Sequence, residues 1–314
     1  MAEDLPLDSI CRRADLYRQL RAYFAAQGVL EVEVPLLGRA GGTDLQIALM
    51  EVVAAGGDER LYLQPSPELF MKRLLAAGSG PIFYLGKCFR GGEQGGRHNP
   101  EFSMLEWYRP GFCLERLMAD VAALMQRLVP GLAMASRPYA ELFAEHCGVD
   151  PHRCSDAELD ALVAERTRYR GQLNRDAALS LLFAELVEPH LGAGGFFVVD
   201  YPAGQAAMAQ LVERDGVAVA ERFEFYLEGV ELANGYLELT DAAEQRARFQ
   251  ADNRERRARG LAEMPVDEKF LAALEAGLPA CAGVALGVDR LLGLLREGGA
   301  ADIADDLLFA WDRL

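Results

Sequence analysis

Two apolar runs, PIFYLGKCFR (81–90) and EFSMLEWYR (101–109), flank the glycine-rich stretch GGEQGGRHNP, and this arrangement restricts the fold more than any other feature. The runs read as strands, and the connection between them closes an antiparallel hairpin with a long, mobile loop of the kind that often carries function. Alternate side chains of a strand share a face. Phe102, Met104, Glu106 and Tyr108 therefore line one side, and Glu101, Ser103, Leu105 and Trp107 the other. The first set reads as a pocket, with an aromatic plane at one end and a carboxylate and a phenol at the other. Arg90 ends the preceding strand and faces the same loop as Arg97, His98 and Asn99, and its planar fork suits phosphate oxygens. The pattern fits a nucleotide near the hairpin loop and a cationic group near Glu106. The competing reading is a half-buried sheet whose polar loop is merely solvated.

Around this hairpin the chain alternates helical and strand-like segments. Residues 8–28 have apolar side chains at Ile10, Leu16, Leu20 and Phe24 and a glycine stop at Gly28, which predicts a helix. VLEVEVPLL (29–37) alternates with period two and predicts a strand that Pro35 ends or confines to an edge. Ser66-Pro67-Glu68 leads from a short strand into a helix, with Pro67 suited to the first turn and Gly78 as the stop. Residues 112–190 look helical, with weaker signals. Further strands are expected at 196–202, 222–239 and 282–288, and a charged helix in DAAEQRARFQADNRERRARG. The terminal DRLLGLLREG reads as a closing helix. Strands in hairpins predict an α+β fold: an antiparallel sheet flanked by helices in a single domain spanning 1–314.

Two more constellations could carry chemistry. In GVELANGYLELTD, Glu231 and Glu238 fall on opposite strand parities unless a bulge intervenes, for which Asn234-Gly235 is a plausible place. With the bulge both carboxylates face one side and could hold Mg²⁺, which favours a few carboxylates plus substrate phosphates. Without it one of them points to solvent. In AGVALGVDRLLGLL, Gly283 and Gly287 would let a ligand approach the backbone, and Arg290 begins a helix where it could meet an anion or simply form a surface ion pair. The chain has neither a P-loop nor a GxGxxG.

Composition narrows the class. The formal net charge of −16 argues against general nucleic-acid binding, so tRNA is an unfavoured partner. With no apolar run of membrane-spanning length and a charged start lacking a leader, the chain reads as cytoplasmic. The six cysteines contain no CxxC, which fits reduced thiols, and His146, Cys147, His152 and Cys154 match no zinc spacing.

Taken together, FRGGEQGGRHNPEFSMLEWY, GVALGVDR and VLEVEVPLL resemble motifs 2, 3 and 1 of class II aminoacyl-tRNA synthetases, in their lysyl branch. The helix before motif 1 starts within the first dozen residues, so no anticodon-binding domain is expected ahead of it. The chain most closely resembles the stand-alone lysyl-synthetase paralogues that activate (R)-β-lysine with ATP and ligate it to elongation factor P. The resemblance implies that Arg90 holds the α-phosphate, that His98 and Asn99 contact ATP, and that Phe102 stacks on adenine. It implies that Gly91, Gly92, Glu93, Glu231, Leu232, Gly287 and Arg290 also line the ATP site, with Arg90, Glu231 and Arg290 catalytic. Glu231 and Glu238 would hold Mg²⁺ or, for Glu238, the substrate amine. Glu106 and Tyr108 would receive the distal ammonium, and Ser66, Pro67 and Glu68 the other amine. A homodimer built on motif 1 is also implied.

Two departures from the family pattern stand out. Motif 2 usually reads Arg-Asn-Glu, with that glutamate reading adenine, whereas here Arg90-Gly91-Gly92 displaces Glu93 by one position. Ala285 stands where lysyl synthetases tend to have glycine, and its methyl could favour a β-amino acid. Other readings are a truncated synthetase that charges tRNA or another acceptor with lysine, and a catalytically idle binding module.

Overall fold

The computed structural model describes residues 7–53, 59–296, 298–299 and 302–314, and the backbone groups into two compact units, Met1–Phe112 with Leu239–Leu314, and Cys113–Glu238. Each has its own core.

In the first unit, Ile82–Phe89 and Glu101–Pro110 form the expected antiparallel hairpin, and Cys281–Gly287 pairs antiparallel on the other side of Glu101–Pro110. Trp107 and Phe83 turn to one face, where Phe24 of the helix Leu7–Ala26 stacks on Phe83 at 4.6 Å and meets Trp107 at 5.3 Å. Leu16, Leu20, Tyr23 and Phe24 make that helix's buried stripe, while Ile10, expected on it, is 46% exposed. Arg13 takes the inward position instead and donates to Asp289 at 2.6 Å, and Asp289 in turn accepts from the Ser103 amide at 2.6 Å. Gly28 ends the helix with φ +67°, a conformation that costs a side-chain-bearing residue more.

The strand expected over 29–37 is not one strand. Leu30–Glu31 runs parallel to Ile82–Phe89, and Leu37–Gly38 pairs with Arg60–Leu63 in a separate sheet completed by Met50–Val53. Between the two pieces the chain changes sheets, and Pro35 lacks the N–H a continuous ladder needs. Ser66-Pro67-Glu68 enters the helix Glu68–Ala76 as expected, with Pro67 as its cap residue and Gly78 at φ +87° beyond its end. The charged helix forms as Ala242–Ala258, and the last predicted helix is the shorter Val288–Leu294.

In the second unit, Met134–Pro138, Gly195–Pro202, Val217–Leu227 and Val230–Leu237 lie side by side, the first pair parallel and the others antiparallel. The two parallel pairings make the strands mixed rather than wholly antiparallel. Met134–Pro138 falls inside the stretch expected to be helical; MASRP is too short and polar to show a period. Glu228-Gly229 joins two strands with positive φ at both residues, the tight turn whose twist matches paired strands. The helices Tyr139–Cys147, Asp156–Arg166 and Arg175–Leu182 bury Tyr139, Phe143, Leu179 and Leu182 in a core shared with Val198, Tyr201 and Tyr226. Ser155 and Glu158 cap the second of these reciprocally. Among the described residues no helix is long and apolar enough to cross a membrane.

Candidate active site

The hairpin face carrying Glu106 is bordered by small residues on its Cys281–Gly287 side. Across the ladders Tyr84 and Ala285 flank Glu106, Gly283 lies beside Tyr108, and Gly86 and Gly287 lie on either side of Met104. Directly opposed residues share a sheet face, so Ala285 and Gly287 leave room above Glu106 and Met104. A Cβ on Gly86 would sit 2.4 Å from the Tyr84 hydroxyl, which donates to Lys87 O at 2.9 Å. Burial, with help from Cys88 and Glu106, pushes the Tyr84 phenol up, so it stays a neutral donor.

Glu106 is only 2% exposed. Tyr108 Oη donates to its Oε1 at 2.6 Å and Ser66 Oγ to its Oε2 at 2.8 Å. Two hydroxyls thus orient the Glu106 carboxylate, one on each oxygen. Ser66 Oγ also accepts from the Glu68 amide at 3.0 Å, and Lys72 Nζ, its side chain buried, donates to Glu68 Oε1 at 2.6 Å. One hydroxyl thus couples the Ser66–Glu68 turn to Glu106. Lys72 was not singled out from the sequence, although its place one helical turn after Glu68 is the available signal.

At the loop end of the same face, the Arg90 guanidinium lies 5.1 Å from the centre of the Phe102 ring and 3.8 Å from Glu93. Gly91 bonds to Ala48 O at 2.8 Å, and Gly92 has φ +74°, a local reason for glycine where the family pattern differs. The loop expected to be mobile is tied down at several points among the described residues. Gly95 and His98 bridge each other, Gly96 O accepts from the Ile303 amide at 2.8 Å, and Arg290 Nε donates to Arg97 O at 3.2 Å. Both ends of the Asn99 amide are held, Nδ2 by Glu101 O at 2.6 Å and Oδ1 by the Trp311 amide at 2.9 Å. Arg290 Nη2 meets His98 Nε2 at 2.7 Å. Arginine can only donate, so Nε2 accepts and the imidazole is neutral; burial first, then Arg290, lowers its pKa. Gly287 caps the helix that carries Arg290.

The second unit holds Glu231, Leu232 and Glu238. Phe225 pairs with Ala233 but Tyr226 with Glu231, so Leu232 is the extra residue of a bulge. The bulge needed to align the carboxylates exists, but at Leu232 and not at the suggested Asn234-Gly235. Glu231 opposes Tyr226, Asn234 opposes Glu224, and Tyr236 opposes Arg222, which sets all three on one face; Glu238, bridged to Ala209, continues the parity. Asn234 and Tyr236 were missed in the sequence because their parity with Glu231 depends on the bulge. Two carboxylates on one face are oxygen donors of the kind Mg²⁺ takes, with phosphates completing its shell. Among the described residues no group of three or more His, Cys, Asp or Glu side chains is placed to hold a metal ion. Of the sequence cluster near 150, His146 stacks on His190 at 4.6 Å and Cys154 Sγ accepts from Arg175 Nη2 at 3.6 Å. Burial pushes the Cys147 thiol up to about 11.

The hairpin, the short strand with its glycines and the residues along them are those of one fold family: residues 7–312 match the model for class II tRNA synthetases of the D, K and N type, and the chain belongs to that family. Within it, the chain is 47% identical over 309 residues to the elongation factor P–(R)-beta-lysine ligase of Proteus mirabilis (strain HI4320), covering 96% of this chain and 94% of that protein. It is 45% identical over 316 residues to the ligases of the same name from Sodalis glossinidius (strain morsitans) and Klebsiella pneumoniae subsp. pneumoniae, covering 98% of this chain and 96% of each relative.

Proposed function

We propose that this chain is an AMP-forming ligase that activates (R)-β-lysine with ATP and transfers it to the ε-amine of a lysine of elongation factor P, acting in the cytoplasm as a single catalytic domain over residues 1–314. The observation that carries this reading is one strand face with two chemically different ends: Arg90 over Phe102 at one, and Glu106 between Ser66 and Tyr108 at the other. The first suits a nucleotide and the second an amine, and the names of the relatives fit both.

In the reaction the amino-acid carboxylate attacks the α-phosphorus of ATP, pyrophosphate leaves, and an acyl-adenylate forms. The acceptor amine then attacks the acyl carbon, AMP leaves, and the amine loses a proton; no covalent enzyme intermediate is needed. Catalysis is positioning plus charge stabilisation. Arg90 holds the α-phosphate and Arg290 the outer phosphates. Phe102 stacks on adenine, with Gly91, Gly92, Glu93, His98, Asn99, Leu232 and Gly287 around the nucleotide. A neutral His98 keeps extra charge away from Arg290 while leaving Nδ1–H to donate. Mg²⁺ would neutralise phosphate charge, held by Glu231 and Glu238. Glu106 and Tyr108 take the distal ammonium, and Ser66, Pro67 and Glu68 the other amine. The Ala285 methyl, beside Glu106, narrows the floor there and supports a β-amino acid. Leu30 at 59% exposure, with Leu36 and Leu37 at 42%, supports a homodimer through this segment.

Pyrophosphate exchange with Mg-ATP and (R)-β-lysine, α-lysine or no amino acid tests the first half, and mass analysis of elongation factor P the second. Exchange that favours β-lysine, followed by addition of one β-lysyl group, is expected. Preference for α-lysine or silence with both would overturn the reading.

A further inference from the structure

The face bearing Glu231, Asn234, Tyr236 and Glu238 rests on an arginine that neither the motifs nor the reaction call for. Arg222 lies mostly buried on the neighbouring strand, and the guanidinium is bound on every side by the protein. Nη1 donates to Gln205 O at 2.6 Å, Nη2 to Glu224 Oε1, and Nε to Asn234 Oδ1 at 3.0 Å. Its plane sits over the Tyr201 ring at 4.4 Å and reaches Tyr236 at 5.9 Å. Glu224 is itself held, since Tyr226 Oη donates to its Oε2 at 2.7 Å.

The consequence lies in what Asn234 can then do. An asparagine amide has two orientations of similar shape and opposite polarity. Because Arg222 only donates, Oδ1 must face it, which aims Nδ2–H at the Tyr236 hydroxyl at 2.9 Å. The phenol accepts that bond, so its own proton points elsewhere. One guanidinium thereby sets donor and acceptor polarity along the strand between the two carboxylates. Its charge also counts: burial pulls the Arg222 pKa down, but Glu224, Tyr236, Tyr201 and Glu231 together hold it above the ordinary arginine value. Arg222 therefore stays a donor at each of the nitrogens that hold Gln205, Glu224 and Asn234.

We propose that Arg222 is a positioning residue for the ligase reaction, which orients Asn234 and Tyr236 without touching substrate. The proposal rests on the ligase reading above. It differs from a purely structural role in that its effect must run through Asn234.

The test is a double-mutant cycle in pyrophosphate exchange, with Arg222→Lys, Asn234→Ala and the double variant. The kcat, the KM for amino acid and ATP, and the Mg²⁺ half-saturation are measured, with thermal melting alongside. Arg222→Lys keeps the charge but not the fork. The expected result is a roughly tenfold rise in the amino-acid KM or the Mg²⁺ requirement, with kcat within about threefold. The double variant should match the worse single variant, since residues acting as a unit are non-additive. If Arg222→Lys does not fold, Glu224→Gln retains an acceptor for Nη2 but weakens its hold, and should shift the same parameter about threefold. Effects of Arg222→Lys and Asn234→Ala that multiply in an active wild-type background would overturn the proposal. So would unchanged KM and Mg²⁺ dependence in whichever variant folds. A wild type silent with both lysines would instead remove the ligase reading, and the Arg222 role with it.

Discussion

At the scale of single residues, the candidate site works by hydroxyls and amides that fix the direction of charged groups. Glu106 is the clearest case: Ser66 and Tyr108 each occupy one oxygen, so the carboxylate has a single orientation before any ligand arrives. Glu106→Gln should therefore raise the amino-acid KM by roughly 100-fold, the effect of removing one partner from a buried charged pair. The ATP KM should stay within about threefold. Ser66→Ala should move the same parameter about tenfold, in line with one hydrogen bond to a charged group. Steady-state exchange kinetics measure both, and an equal change in the two KM values would show that Glu106 does not face the amine. Face assignment for Glu106 and Tyr108 was legible from parity alone, because nothing interrupts Glu101–Pro110. The bond from Ser66 to Glu106 was not, since Ser66 lies 40 residues away.

At the scale of elements, the opposite face of the same strand explains why the site is held still. Phe24 is wholly buried against Phe83 and Trp107. Phe24→Ala should cost about 3–5 kcal/mol in denaturant unfolding, by lost transfer energy plus a cavity. The amino-acid KM should change less than stability does, because no group on the Glu106 face is removed; a loss of less than about 1 kcal/mol would contradict this account of the packing. Helices with strong periodicity, such as Leu7–Ala26, were readable from sequence. The segment over 29–37 was not. Its period-two pattern is real, yet the chain pairs first with Ile82–Phe89 and then with Arg60–Leu63. Alternation reports which side chains point together, not which strand supplies the hydrogen bonds.

At the scale of the whole molecule, three exposed leucines stand close together in the chain. Leu30, Leu36 and Leu37 fall within a stretch of eight residues and would be covered in a homodimer. Sedimentation velocity at micromolar concentration should show a dimer for the wild type and a monomer for a Leu30→Asp, Leu37→Asp variant. A monomeric wild type would rule the dimer out.

The sequence by itself determined the hairpin, the face of Glu106, the arginines at either end of the family motifs and the glycine positions, because each depends on neighbours within a few residues. Only the tertiary structure decided that Leu232 is the bulged residue, that Ala285 stands beside Glu106, and that Arg222 sets the polarity of Asn234. The reason is register. A strand's period is local, but which residue opposes which, and where one is skipped, is settled by the packing of strands far apart in sequence.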